Sequence, residues 1–529
     1  MENLSLYTGS ALLLGAVVIY EILIDLSTRK VDPREPPVLR SNIPWIGHIL
    51  GMIIHGGRYT KTVGTRRKLP IFTLPTLNSR TYVVTDAALA ATVQRSKSLS
   101  FTPLIPILTQ RVLGLDDDTV KIIRKNINRE DGPGGFVPEM HDLVYSSLAL
   151  GESLNELSLS ASAQLATELT QHLQESAKST DGMVVDLLHW VQQVVTYSTA
   201  HFVYGKENPI AVDPTLVQSF WDFDHNLGGL LVNLMPSITA RKAYRGRERL
   251  AKAFEEYLAN GHHLSGAKII QKRIQIASLA GWTLPQIARS ELSFFFAAVV
   301  NTAITSFWVI LHIYARPEML REIREGIMGN AVTGQNISIE RLRNNFPLLL
   351  AVYREALRLG SDNFSTRLVL QDTILADRYF LQSGSIVQIS AGIMHGAKDI
   401  WGDDADQFNP SRFLDSSNGT LSATTSEKPT SKTGASTPIP KIHPAAFRAF
   451  GGGATLCPGR HFATNEILSF VALVILQFDI SRCGSASEPL AIPPKKDNVL
   501  PVHILEPAKD VRARIKPRQL IGPRFKVVL

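Results

Sequence analysis

The residues best suited to chemistry lie between Phe450 and Ala463, which read Phe-Gly-Gly-Gly-Ala-Thr-Leu-Cys-Pro-Gly-Arg-His-Phe-Ala. Gly451, Gly452 and Gly453 let the backbone take positive φ angles and approach a flat partner closely. Cys457 follows, and from His461 the apolar Phe462, Ile467, Leu468, Val471, Leu473 and Val474 predict a buried helix. The sulfur therefore lies near a helix N-terminus, where backbone N–H groups and the positive dipole end favour a thiolate. Arg460 adds positive charge. A thiolate so placed is a ligand for haem iron, where its electron donation favours O–O cleavage. A small buried cysteine in a glycine-rich turn is the competing reading.

Two further groups of residues have informative spacing. Residues 292–314 predict a long helix without acidic or clearly basic residues, except His312. By length it could cross a membrane. However, Ala298, Asn301, Thr302 and Thr305 fall on one face at helical spacing. That polar stripe suits a buried helix beside a wet cavity, or a polar contact between helices. Glu355 and Arg358 are three apart and share a helix face. Alone, such a pair reads as a solvated salt bridge.

The glycine-cysteine stretch resembles the haem-binding loop of the cytochrome P-450 family, Phe-x-x-Gly-x-x-x-Cys-x-Gly, with Phe450, Gly453, Cys457 and Gly459 in its four fixed places. The resemblance covers most of the chain. It implies a mainly α fold with small β-sheets (α+β), haem b as cofactor and Cys457 as axial iron ligand. Phe450, Gly451, Gly453, Gly459 and Arg460 would surround the cofactor, and Arg367 would reach a propionate. Ala298-Val299-Val300-Asn301-Thr302 falls on the family's oxygen-binding segment. Thr302 would hydrogen-bond dioxygen and guide protons, with Asn301 where a carboxylate is usual and Val299 where glycine is usual. An amide orients water but cannot exchange a proton as a carboxylate does. Phe408-Asn409-Pro410-Ser411-Arg412-Phe413 is similar to the family's Phe-x-Pro-x-Arg-Phe segment, so Arg412 would close a structural triad with Glu355 and Arg358. Ala298, Asn363, Phe364 and Ser365 would touch substrate.

The sequence also departs from the family pattern. No Trp-x-x-x-Arg pair is present: Val194 stands four places after Trp190, and His225 four after Trp221. Thr455 replaces a usual basic propionate ligand, which gives Arg367 more weight. His141 is either a substitute or a surface histidine. The Asn-Thr pair and the Gly-Ala-Thr-Leu-Cys-Pro-Gly-Arg run resemble the branch with sterol 7-hydroxylases and prostacyclin synthase. That branch leaves two outcomes, a monooxygenase or an isomerase or dehydratase of a peroxide; the alternative of another class is a haem-binding membrane protein without turnover. For the first, the implied partners are O2, a hydrophobic steroid, terpenoid or other secondary metabolite, and a reductase carrying electrons from NADPH.

The rest of the chain must position these groups. Its 529 residues are 44% hydrophobic, enough for one large catalytic domain, and only Cys457 and Cys483 are cysteines, so no disulfide framework is expected. The net charge of +8 fits an anionic membrane or an acidic protein partner. No basic run with interleaved aromatics points to nucleic acid. Residues 1–30 carry an uncharged apolar stretch and read as an uncleaved transmembrane anchor, because Arg29 and Lys30 follow it and no basic residue precedes it. Residues 31–50, with Pro33, Pro36, Pro37 and Pro44, read as a stiff hinge, and 51–529 as the catalytic domain. The resemblance to eukaryotic membrane members places the protein in the endoplasmic reticulum, single-pass, with its catalytic domain cytosolic. Residues 70–86 predict a hairpin, 502–505 and 511–516 closing strands, and 416–440 a solvated low-complexity loop. Phe220, Trp221 and Phe223, with 227–235, read as either a lid over an apolar pocket or core helix.

Overall fold

The computed structural model describes residues 2–77, 79–414, 442–484, 488–518 and 525–529. The low-complexity stretch 416–440 lies outside them. Ten helices bear on the site: α1 (Glu2–Thr28), α2 (Gly47–Arg67), α3 (Phe136–Leu148), α4 (Glu152–Ser176), α5 (Leu187–Tyr204), α6 (Leu216–His225), α7 (Arg241–Ala259), α8 (Leu284–Tyr314), α9 (Pro347–Gly360) and α10 (Arg460–Gln477).

α8 is the central beam. Pro285 sits in its first turn, where a missing N–H costs nothing, and Pro317 lies just beyond its end. The helix starts at Leu284 rather than near 292, so it does carry charges. Glu291 pairs with Arg273 at 3.1 Å, both buried, and Arg289 pairs with Glu248 at 2.6 Å. Among the described residues it is the one helix long and apolar enough to cross a membrane, but 72% of its apolar window is buried inside the fold. It is a core helix, packed on α5, α7, α9 and α10. Phe295, Val299, Val300, Ile304 and Phe307 are fully buried along it. Val299 therefore faces the core.

The hairpin forms from β1 (Ile71–Pro75) and β2 (Arg80–Val84), with Ile71 opposite Val84. With β3 (Leu99–Ser100), β4 (Phe364–Val369) and β5 (Ile386–Ser390) it makes a five-stranded sheet in the order β1-β2-β5-β4-β3. Only β5 and β2 run parallel. β4 follows α9 directly and carries Phe364, Ser365 and Arg367 toward the site. The proline-rich segment before α2 docks on this sheet rather than standing apart from it. Leu39 N donates to Thr73 O, Thr73 N to Pro37 O, and buried Glu35 pairs with Arg80 at 3.0 Å.

A second sheet joins Phe478–Arg482, Arg512–Pro517 and Met183–Asp186. No strand forms at 502–505, because its backbone groups bond to scattered partners instead of a neighbouring strand. Ile504 N donates to Asn301 Oδ1, Leu505 N to Gly360 O, and Trp308 Nε1 to Leu505 O. The aromatic run on α6 is core rather than lid: Phe220, Trp221 and Phe223 are buried, and Trp221 Nε1 donates to Thr196 Oγ1. Past α6, Val232, Leu234, Met235 and Ile238 are exposed.

Candidate functional site

α8, β4, the 450–459 loop and the 502–504 segment surround a cavity of about 470 Å³. Its lining includes Ala298, Asn301, Thr302 and Thr305 from α8, so the polar stripe does face a cavity. Asn363, Phe364, Ser365 and Arg367 line it from one side, and Phe450, Gly451, Cys457 and Gly459 from another. Gly453 and Arg460 stand behind the loop. Gly453, at φ 60°, backs onto Gln94, and Arg460 Nη1 donates to Cys457 O at 3.1 Å. Gly451 has φ 73° and lies so close to Thr455 O that a Cβ there would come within 2.9 Å of it.

Cys457 N donates to Phe450 O at 2.9 Å, which closes the loop, and α10 begins at Arg460. Backbone N–H groups of Gly459 and Arg460 and the Arg460 charge pull the thiol pKa down, but burial outweighs them and pushes it up. The helix N-terminus alone therefore does not make a thiolate. A bound cation would supply the missing counter-charge.

The loop is tied to the scaffold through Glu355, Arg358 and Arg412 together with residues that spacing did not reveal. Glu355 Oε1 accepts from Arg358 Nη2 at 2.7 Å, Arg412 Nε at 3.3 Å and Asn409 N at 3.0 Å, and Oε2 accepts from Arg358 Nε at 2.7 Å. Arg358 Nη1 donates to His395 O, and His395 Nε2 accepts from Arg448 N at 2.9 Å. With Nδ1 donating to Ser361 O, His395 is the neutral tautomer, and burial lowers its pKa to about 3. Tyr145 donates to Leu456 O and stacks on His141 at 4.2 Å, on α3.

A second cavity, of about 860 Å³, shares Arg367 and Thr455 with the first and carries Arg95, Lys97, His141 and Tyr145 in its wall. Arg367 Nη2 donates to Thr455 Oγ1 at 2.7 Å, and Arg448 Nη2 to Ser365 Oγ at 2.9 Å. Both guanidiniums are buried, and among the described residues no carboxylate is paired to either. Burial lowers both pKa values, that of Arg448 to about 10 with help from the Arg367 charge, and Arg448 Nε has no hydrogen-bond partner. Buried cations without anions are costly unless a ligand brings the charge.

On the far side, Asn301 Oδ1 accepts from Ile504 N at 3.1 Å. Thr302 Oγ1 lies 3.3 Å from Glu466 Oε2 on α10, a carboxyl that burial pushes up to about 8. His503 also lines the cavity and sits 3.0 Å from Asp224, while neighbouring Glu506 sits 3.0 Å from His225. None of Glu466, His395, Tyr145 and His503 was singled out from the sequence. Glu466, the one acidic residue of α10, carried a signal.

The family model for cytochrome P-450 matches residues 36–502. The chain belongs to the cytochrome P-450 family. It is similar to the cytochrome P-450 monooxygenase nodJ of Hypoxylon pulicicidum, 30% identical over 92% of this chain and 91% of the relative. A cytochrome P-450 monooxygenase of Gibberella zeae is 28% identical over 88% of this chain and 85% of its own length. The 5-beta-cholestane-3-alpha,7-alpha-diol 12-alpha-hydroxylase of Sus scrofa is 24% identical over 96% of this chain and 97% of its own length. Members of the cytochrome P-450 family are haem b enzymes, typically supplied with electrons by a reductase, and this one is a monooxygenase of that family. The residues present fit the group: a cysteine at the cavity wall, an apolar enclosure, the buried Arg367 guanidinium in the wall, and that of Arg448 just behind it at Ser365, suited to carboxylates.

Proposed function

We propose that this chain is a membrane-anchored haem-thiolate monooxygenase that inserts one oxygen atom of O2 into a hydrophobic substrate of steroid, terpenoid or other secondary-metabolite type. Electrons come from NADPH through a reductase. The observation that carries this reading is the single cavity that holds Cys457 and Thr302 in one mostly apolar enclosure. The names of the fungal relatives support the reaction class, and that of the Sus scrofa hydroxylase supports a steroid-like skeleton.

Bound haem supplies the iron that reduces O2 with two electrons and moves one oxygen atom to the substrate while the other leaves as water. The chain's own side chains do the rest. Cys457 would supply the ligand from the loop, Phe450 and the glycines would help to hold the group, and Arg367, Arg448 and Thr455 would hold its propionates. Ala298, Asn363 and Phe364 contact substrate and exclude water. Ser365 contributes less, because its hydroxyl is taken by Arg448. Thr302 holds a proton at Oγ1. Asn301 presents N–H donors, since its oxygen is engaged by Ile504 N, and so orients water or a substrate oxygen.

Membrane attachment is supported by exposed apolar residues. Val17, Val18, Ile19, Ile22 and Leu26 are exposed on α1. Ile53 and Ile54 of α2 are exposed as well, close to exposed Leu500 through the Gly57 N to Val499 O bond. Such a surface suits a bilayer of the endoplasmic reticulum, with α1 anchoring the chain to it and the domain in the cytosol. The acidic face of a reductase would meet the cluster of His461, Arg343 and Arg460, whose charges reach one another.

The test compares, by mass spectrometry, the lipophilic metabolites of the native host with those of a Cys457→Ala strain. The expected result is an accumulated compound one oxygen atom lighter than the lost product. Equal masses would make the chain an isomerase instead, and an unchanged profile would leave it without turnover.

A further inference from the structure

Four titratable side chains gather where α6 meets the 502–506 segment. Asp224 and His225 come from the last turn of α6, and His503 and Glu506 from near the end of the chain. His503 Nε2 lies 3.0 Å from Asp224 Oδ1, and His225 Nε2 lies 3.0 Å from Glu506 Oε1. Among the described residues no lysine or arginine pairs with either carboxylate; the Lys496 charge is felt at Glu506 without an ion pair. Asp224 stands out within the group. Its side chain is fully buried, yet neither of its oxygens receives a hydrogen bond, because the His503 ring comes close to Oδ1 outside hydrogen-bond geometry. A buried carboxylate in that condition is costly unless a ligand satisfies it.

A carboxylate oxygen of Asp224, a ring nitrogen of His225 and a carboxylate oxygen of Glu506 all lie within 4.8 Å of one another. Among the described residues this is the one group of His, Cys, Asp or Glu side chains so gathered. Ligand atoms bound at about 2.0–2.2 Å around a tetrahedral ion stand about 3.3 Å apart, a spacing within the reach of side-chain rotation here. The surroundings also suit a cation. α6 turns its C-terminal, negative end toward the group. Gln192, buried on α5, donates from Nε2 to Glu506 Oε1 at 3.1 Å and so fixes that carboxylate from behind, as outer partners of metal ligands do. The side chain of His225 is 36% exposed, which leaves an entry from solvent.

We propose that Asp224, His225 and Glu506 bind a divalent transition-metal ion of the zinc class, which clamps the end of α6 to the 502–506 segment. One imidazole with two carboxylates selects zinc over magnesium, which favours oxygen ligands and keeps its own water. The ion takes no part in the reaction at Cys457. It acts on the cavity through the wall: His503 lines that wall, and Ile504 N holds Asn301 Oδ1. Fixing Glu506 fixes both residues, which precede it by three and two places in the chain. Without the ion, the two histidines alone face the carboxylates.

Full-length, haem-loaded protein is stripped with a chelator and titrated with Zn2+ by calorimetry, as wild type, Asp224→Asn, His225→Gln, Glu506→Gln and Gln192→Leu. Wild type should take up one ion per chain and keep it against an excess of Mg2+ of about 100-fold. Gln192→Leu should weaken binding by about 10–100-fold, and loss of any of the three ligands by more. Zinc should raise the hydrogen-exchange protection of α6 and of 502–506 in wild type and leave it unchanged in Glu506→Gln. If Asp224→Asn or Glu506→Gln does not fold, His225→Gln, altered at the exposed edge, and Gln192→Leu decide, with a wild-type reduced carbon monoxide spectrum as the check on the haem site. A wild type that binds no Zn2+ overturns the proposal. Equal affinity in wild type and variants does so too, as an adventitious ion only, held at a surface pair such as His262 and Glu207. Zinc that binds without protecting α6 refutes the clamp.

Discussion

Replacing Glu355 with glutamine tests how the scaffold holds the thiol loop. The carboxylate is fully buried and receives four hydrogen bonds, two from Arg358, one from Arg412 and one from Asn409 N. In Glu355→Gln one oxygen becomes an NH2 group that faces these donors, and Arg358, also fully buried, loses its only counter-charge among the described residues. Arg412 keeps Asp404 at 2.7 Å, so the damage concentrates on Arg358. Breaking one side of a buried pair costs about 3–5 kcal/mol. With roughly 2.1 cal/mol/K per residue over 529 residues, that lowers the midpoint by about 3–5 °C. The effect should also reach the cavity, because Arg358 bonds His395 O and His395 bonds Arg448 N. Thermal scans at one fixed rate, read by haem absorbance and by circular dichroism, separate the two effects: haem loss should precede unfolding in the variant. Arg412→Ala should shift the midpoint less. A Glu355→Gln protein within about 1 °C of wild type, with haem loss and unfolding coincident, would refute the reasoning.

Cys457→Ser should abolish thiolate ligation, so the reduced carbon monoxide spectrum loses the form given by wild type. Arg448→Gln and Arg367→Gln should each speed transfer of haem to a competing apoprotein by about tenfold, since each removes a buried cation at one charge-assisted contact. The contact between α6 and the 502–506 segment should depend on pH. His503 and His225 have pKa values raised above 6.5 by Asp224 and Glu506, against opposing burial. Their contribution to stability is fully present below pH 6.5 and is lost as pH rises through the raised folded values. The protection of α6 amides, with the intrinsic base-catalysed rate divided out, should therefore fall in mildly alkaline, metal-free buffer, and Asp224→Asn should weaken that fall.

What the sequence made legible were residues whose neighbours in the chain carry the meaning. The loop around Cys457, the stripe of Asn301 and Thr302 and the spacing of Glu355 and Arg358 are local patterns, and the structure brings each of them to the cavity or into the network beneath it. His395, Arg448, Glu466 and His503 matter through partners far away in the chain, and nothing in their local sequence names those partners. The same cause explains two misreadings. Residues 502–505 look like a strand because they are apolar and β-branched, yet their bonds go to Asn301, Gly360 and Trp308. Phe220, Trp221 and Phe223 look equally like lid or core, and only the packing of α6 on α7 buries them. The thiolate was inferred from a helix end, whereas enclosure of the sulfur acts more strongly in the opposite direction.

The bond from Ile504 N to Asn301 also bears on biogenesis. The cavity wall is assembled from the middle of the chain and from a segment close to its C-terminus, and neither half can hold the other until both exist. During synthesis the emerging chain can build α4 and α5 while its future cofactor chamber still lacks a side. Loading is thus a late event, after synthesis has passed residue 504, and a chain cut short of that point leaves the chamber open to water.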